Sequence, residues 1–225
     1  MSFILNIDTS SSTASVSISQ DGIGIGILQN ETLNEHASFL QNAVKQLLLQ
    51  LKLQFKDLEA VSVVYGPGSY TGLRVGLSSA KGICFAAQKP LITIGSLPLM
   101  AKAVADALER EKKPIPLLCP MIDARRLEVF TGVYNASIEE ILPPNAKILN
   151  YDSFVDILLQ EKMLFFGNGS AKFEALTKQP NATFTGITGI YEAVCTIGYE
   201  SLKKGDFADL AYVEPLYLKE FHDGK

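Results

Sequence analysis

The sequence is poor in residues that hold metals or form disulfides. Its only histidines are His36 and His222, and its three cysteines, Cys84, Cys119 and Cys195, lie far apart in apolar surroundings. A metal site needs three or four converging ligands. His36 has no second ligand one helical turn on, because position 40 is Leu, so no metal site is expected. An odd number of scattered cysteines argues for reduced core thiols and a reducing cytosol. Basic residues are also scarce: 20 Lys and Arg against 24 Asp and Glu give a net charge of -4 and a pI near 5.3. A domain that grips nucleic acid unaided usually clusters Lys and Arg, so any RNA must be held mainly by something else. No apolar run approaches the roughly 20 residues of a membrane helix. No basic leader precedes the first apolar strand, so a soluble, cytoplasmic protein is expected. Asn30, Asn135, Asn168 and Asn181 each open an Asn-x-Ser/Thr triplet, which matters only in a secreted chain.

What the sequence does have is 225 residues, 47% of them hydrophobic, enough for one large domain or two compact ones. Residues 3–8, 13–20 and 23–29 read as three β-runs separated by turn residues, with Asp21-Gly22 in the second turn. Phe39, Leu40, Ala43, Val44, Leu47, Leu48 and Leu51 then recur at helical spacing. Thr32 with Glu35 forms a capping box, which predicts a helix from about Leu33 to Leu51. The strand VSVVY (61–65) leads into GPGSYTG (66–72), a helix to about Ala87, the strand LITI (91–94) and a helix from about Ser96. The order βββαβαβα suggests a ribonuclease-H-like α/β lobe, as in actin and sugar kinases.

The layout then repeats. LLCPMIDARRLEVFTGVY resembles ILNIDTSSSTASVSIS, an apolar strand ending in Ile-Asp, a turn and an alternating strand, and Asp123 falls where Asp8 fell. Two similar lobes are expected, residues 1–110 and 111–225, with the junction near 109–116 and the second lobe shorter and less regular. Helices near 152–160 and 190–203 and strands at MLFFG and VEPLYL would complete it.

Asp8, Thr9 and Ser10 are candidates for a phosphate or nucleotide contact, joined by Ser69 and Thr71 at the Gly-rich turn. The turn after Asp8 has no Gly to let backbone amides approach an anion, and GPGSYTG lacks a Gly-Lys-Ser/Thr ending. These five residues therefore read as vestigial contacts or local caps, with Ser69 or Thr71 capping the following helix. Asp123-Ala-Arg-Arg-Leu-Glu128 reads as a site or as an exposed ion-pair cluster at a hairpin, and FFGNGS (165–170) as a nucleotide turn or a strand-to-helix connection. No catalytic residue is assigned. Gly72, Gly76, Ala80 and Cys84 form a row at spacing four, joined by Ser79, where backbones can approach closely. The first helix already has a broad apolar face to bury. The expected partner face therefore comprises His36, Leu40, Leu47, Gly72, Leu73, Gly76, Ser79 and Ala80, usable for a homodimer or a heterodimer.

IDTSSSTASVSI, GPGSYTGLRVGLSSAKGICFA, TIGSLPLMA, IDARRLEVFTGVY, FFGNGS and EPLYL together resemble the TsaB (YeaZ) family over nearly the whole chain. The resemblance implies two actin-like lobes. It also implies a non-catalytic dimerisation and activating subunit that binds the catalytic subunit TsaD. With the ATPase TsaE it would support threonylcarbamoyl transfer to the adenosine beside the anticodon of tRNAs reading ANN codons. ATP or ADP and a metal ion would belong to the partner subunits, with no cofactor bound by this chain alone and tRNA met through the complex. TsaD carries its iron or zinc on an H-x-x-x-H helix, where this sequence shows His36 and Leu40. The alternative reading is an autonomous small-molecule kinase of the actin-like superfamily, with Asp8 and FFGNGS on ATP.

Overall fold

Runs of β-branched and aliphatic residues punctuated by Gly, Pro, Asn and Asp give ten strands and six α-helices among the residues described by this computed structural model, 1–30, 36–186 and 190–219. In chain order these are β1 (Phe3–Asp8), β2 (Ala14–Gln20), β3 (Ile23–Asn30), α1 (His36–Gln50), β4 (Leu58–Gly66), α2 (Tyr70–Ala87), β5 (Leu91–Gly95) and α3 (Ser96–Arg110). They continue with β6 (Leu117–Asp123), β7 (Glu128–Tyr134), β8 (Glu140–Ile148), α4 (Val155–Leu158), β9 (Met163–Phe166), α5 (Ser170–Glu174), β10 (Ala182–Phe184) and α6 (Ile190–Lys204). None of the described helices is long and apolar enough to cross a membrane.

The chain divides into two units, Met1–Ser96 with Tyr191–Leu216 and Leu97–Ile190 with Tyr217–Lys225. The first holds a sheet of order β3-β2-β1-β4-β5, and the second holds one of order β8-β7-β6-β9-β10. In each, the first three strands form an antiparallel meander and the last two add in parallel. The repeat expected from the sequence is therefore a repeat of topology, and both units have the actin-like α/β arrangement.

In the first unit β1 is central and buried on both faces. Leu5 lies opposite Ile18 and Val61, and Ile7 opposite Val16 and Val63. These side chains meet Leu40, Val44, Leu47 and Leu77 of α1 and α2 in one core. Burying each such aliphatic side chain contributes roughly 1.5–3 kcal/mol. The opposite face is polar. Ser62 donates to Asn6 Oδ1 at 2.7 Å, and Asn6 Nδ2 donates to Ser19 Oγ at 3.2 Å and faces Cys195 Sγ of α6 at 3.8 Å. Buried amides and hydroxyls need such partners, and Gly198 lets α6 sit close to them.

The second unit packs Phe154, Phe165 and Phe173 with Met121, Val129 and Val133 on one sheet face, the Phe165 and Phe173 ring centroids 4.8 Å apart. On the other face Leu97, Ala101, Val104 and Leu108 of α3 meet Leu118, Tyr134, Leu164 and Phe166. The units accordingly divide elsewhere than residues 109–116. The apolar stripe of α3 finds its partners on the second sheet, and α6 finds its own on the first.

The first eight elements follow the predicted βββαβαβα order. VEPLYL is not a strand. Pro215 lacks a ladder donor, and this segment instead donates Leu216 N to Tyr65 O at 2.8 Å. Strands β8 and β10 were not anticipated, and the helix expected over 152–160 is the single turn α4. The Thr32–Glu35 capping box and His222 lie outside the described residues.

Candidate functional site

The turn after β1 lies against the N-terminus of α2. Asp8 is 8% exposed and Thr9 fully buried. Asp8 Oδ1 accepts hydrogen bonds from Ser10 N at 2.9 Å and Ser10 Oγ at 2.7 Å, an Asx turn that needs no glycine. Thr9 Oγ1 donates to Gly72 O at 2.6 Å, and Ser69 N donates to Ser10 O at 2.7 Å. Ser69 caps α2, its Oγ accepting from Gly72 N at 3.3 Å. Thr71 is exposed on the first turn of α2. The sequence had offered Ser69 or Thr71 as cap, and the structure chooses Ser69.

Glycine is required here by close approach. A Cβ at Gly68 would overlap the Ser10 carbonyl oxygen, one at Gly72 the Thr9 carbonyl oxygen, and one at Gly76 Thr9 Oγ1. The backbone amides of a helix N-terminus favour an anion, but in this turn two carbonyl oxygens and a hydroxyl stand against the first turns of α2. Four of the five predicted phosphate-contact residues, Asp8, Thr9, Ser10 and Ser69, are thus brought together as a hydrogen-bonded packing unit.

The predicted partner face needs correction. Gly72, Leu73, Gly76 and Ala80 are all buried, and the bare row faces the turn after β1 and Val63. Leu40 and Leu47 are 0% and 2% exposed in the core of the same unit. Their apolar spacing identified a buried face correctly, but it is covered by the unit's own sheet. His36 opens α1. Ser79 borders the outside, where with Gln41, Phe55, Gly82, Ile83 and Ala86 it lines a groove of about 490 Å³ between α1 and α2. Beside it Phe85 is 80% exposed, and a Cβ at Gly82 would meet nothing within 4 Å. Sequence reasoning missed this strip although Ser78, Gly82 and Ala86 form a second row at spacing four. Leu73 and Leu77, flanking the first row, were the signal that it faces the core.

In the second unit β9 leads into Gly167-Asn168-Gly169-Ser170 as β4 leads into Gly66-Pro67-Gly68-Ser69, and Gly66 and Gly167 both have positive φ, +135° and +93°. FFGNGS is thus a connection, with the added task of holding Asp123, whose N donates to Asn168 Oδ1 at 2.9 Å. Asp123 Oδ1 accepts from Arg125 N at 2.6 Å and Lys172 Nζ at 2.7 Å, and the Lys172 bond holds its carboxyl below the ordinary range. Glu128 pairs with Lys219 at 2.5 Å. The expected ion-pair cluster exists, but its cations come from α5 and residue 219, not from the arginines of the hairpin. Burial raises the Cys84 thiol to about 11 and the Cys119 thiol to about 12, which suits core residues and not nucleophiles. Among the described residues no three His, Cys, Asp or Glu converge as metal ligands.

A family model described as "TsaD: tRNA N6-adenosine threonylcarbamoyltransferase" matches residues 10–220. The "tRNA threonylcarbamoyladenosine biosynthesis protein TsaB" of Bacillus subtilis is 32% identical over 143 residues, 62% of this chain and 59% of that protein. A "tRNA N6-adenosine threonylcarbamoyltransferase" of Ehrlichia chaffeensis is 27% identical over 181 residues, 76% of this chain and 52% of the relative. The matched stretch thus spans less than two thirds of either relative's length. A crystal structure from Pseudomonas aeruginosa, described as an uncharacterized protein with similarity to peptidase YeaZ, superposes with a TM-score of 0.78. It is 22% identical, covers 97% of this chain and 100% of its own, and shares the fold. With its two actin-like units and its match over nearly the whole length, the chain belongs to the TsaB/YeaZ family within the proteins described by the threonylcarbamoyltransferase model.

Proposed function

We propose that this chain is a non-catalytic, cytoplasmic subunit of the machinery that places threonylcarbamoyl on tRNA adenosine, docking the transferase subunit TsaD and acting with the ATPase TsaE. The observation that carries this reading is the collapse of Thr9 and Ser10 onto α2. The place where an actin-like lobe could cradle phosphates is taken up by the chain's own carbonyl oxygens. ATP or ADP and the metal ion then belong to the partner subunits, and tRNA is met in the complex. Relatives named for threonylcarbamoyladenosine biosynthesis and for the transferase reaction itself support a role in the same pathway.

The docking surface in this reading is the outer strip of α1 and α2 around Ser79, Gly82, Ile83 and Ala86. It replaces the inner row, which has no area to offer. Small residues let a partner helix approach closely, and Phe85 supplies an exposed aromatic of the kind that anchors interfaces. A second copy of the chain could use the same strip when TsaD is absent.

Reconstitution tests the reading. The purified chain alone is expected to transfer no threonylcarbamoyl to tRNA, and addition of TsaD, TsaE and the adenylate-forming enzyme is expected to give turnover that depends on the chain. Transfer by the chain alone, in a preparation free of TsaD, would overturn it.

A further inference from the structure

The hairpin joining β6 to β7 presents two arginines whose charge is left over. Ala124 N donates to Glu128 O at 3.1 Å and Glu128 N to Arg125 O at 3.0 Å, closing a tight loop. Arg125 and Arg126 both lie at positive φ, 72° and 48°, and both are exposed. The two carboxylates flanking them are already engaged, Asp123 by Lys172 and Glu128 by Lys219. Among the described residues neither guanidinium has a carboxylate within ion-pair distance. The lysines thus cancel the acids of the hairpin and leave its tip positive.

Beside this tip is an exposed apolar and aromatic surface. Leu149 N donates to Leu127 O at 2.8 Å, and Glu128 lies opposite Ile148, so the end of β8 and the residues after it run alongside the base of the hairpin. In these segments Leu127 is 50% exposed, Ile148 71% and Tyr151 71%. Guanidiniums pair bidentately with phosphate oxygens, and an exposed aromatic ring is a platform on which an unpaired base can stack. The net charge of -4 does not oppose this locally, since charges beyond about 10 Å are largely screened at 0.1 M salt.

We infer that the Arg125–Arg126 hairpin, with Tyr151 beside it, is a contact for RNA, its guanidiniums on backbone phosphates. The inference rests on the proposed role in tRNA modification, which supplies the RNA. It does not make the chain a strong RNA binder, because two phosphate contacts neutralise little charge.

The test is fluorescence anisotropy of labelled tRNA with the full chain between 50 and 200 mM salt, comparing wild type with the double variant R125N/R126N. Asn tolerates the left-handed backbone of this loop, so the fold is kept while both charges go, and an unchanged Tm checks this. Wild type is expected to bind weakly and with a salt slope. The double variant is expected to bind about tenfold less tightly at 50 mM, with a slope shallower by about two, and R125K/R126K should recover part of the loss. Tyr151→Ser is expected to weaken binding without changing the slope. No tRNA binding by wild type at 50 mM salt, or equal affinity and slope in R125N/R126N, would overturn the inference. So would loss of TsaD capture with tRNA affinity intact, which would make the hairpin a protein contact. The reconstitution separates the two failures, since it judges the accessory role by turnover with wild-type chain, whatever the hairpin does.

Discussion

Asp8 and Asp123 end equivalent strands in two sheets of the same order, and each is followed by an Asx turn and faced by a Gly-x-Gly-Ser connection. Their surroundings differ because the helices that follow the two connections differ. α2 has 18 residues and a row of glycines, so it lies against Thr9 and Ser10 and buries Thr9, while Ser11 and Ser12 stay exposed. α5 has 5 residues and leaves the second turn as an exposed hairpin, held by the side chains of Lys172, Asn168 and Lys219. Helix length after the fourth strand of the repeat thus goes with whether the start of the Asp turn is packed down, as Thr9 is, or the turn stands clear as a hairpin. In this chain the first is spent on packing and the second displays arginines.

The comparison is broken most forcefully from the first unit. Gly76→Leu drives a side chain into Thr9, an overpacking cost of roughly 1–3 kcal/mol or more, and Gly72→Ala meets the Thr9 carbonyl itself. Calorimetry is expected to show either variant melting several degrees lower, by roughly 2–4 °C per kcal/mol for a chain of this size. The same substitution six residues on should do the opposite. Gly82→Leu fills open space and replaces a poor helix former, a gain of roughly 0.5–1 kcal/mol, yet it should weaken TsaD capture at least tenfold. A Tm drop in Gly82→Leu, or full TsaD affinity in it, would show that the outer strip has been misplaced.

Thiol chemistry compares the two cores more gently. With Cys84 near 11 and Cys119 near 12, about a thousandth and about a ten-thousandth of each would be thiolate at pH 8. A disulfide reagent should leave the native protein unlabelled for hours and label all three cysteines after unfolding. Rapid native labelling of Cys119 would mean that the second core opens readily.

The smallest effect concerns Asp123. Its carboxyl titrates below the ordinary range because Lys172 favours the charged form. The stabilisation is therefore present above the unfolded carboxylate value and is lost as pH falls through the lower folded value. Asp123 and Lys172 side chains are 42% and 18% exposed, which limits the pair to about 0.2–1 kcal/mol. An NMR titration is expected to move Asp123 upward in Lys172→Met, and an unmoved titration would remove Lys172 as the cause.

Much of this was legible in the sequence. Alternation in TASVSISQ, the helical spacing from Phe39 to Leu51 and the Ile-Asp repeat each carry strong local signals, so the first eight elements and the doubled topology follow from them. The site was read less well. Gly72, Gly76 and Ala80 reveal that a backbone comes close, but not whose, because an internal turn and a foreign helix ask for the same small residues. The allocation of α3 and α6 to the two units depends on long-range packing, to which local pattern is blind. The hairpin arginines misled for a similar reason. Asp123 and Glu128 have adjacent cations in sequence, whereas the lysines that bind them are 49 and 91 residues away.

The account turns on the first Asp turn being closed to nucleotide, and titration calorimetry of magnesium ATP into the isolated full chain addresses that directly. The expected result is no saturable heat at millimolar ATP, with Asp8→Asn indistinguishable from wild type. Stoichiometric binding at micromolar affinity, lost in Asp8→Asn, would contradict the account and favour a kinase.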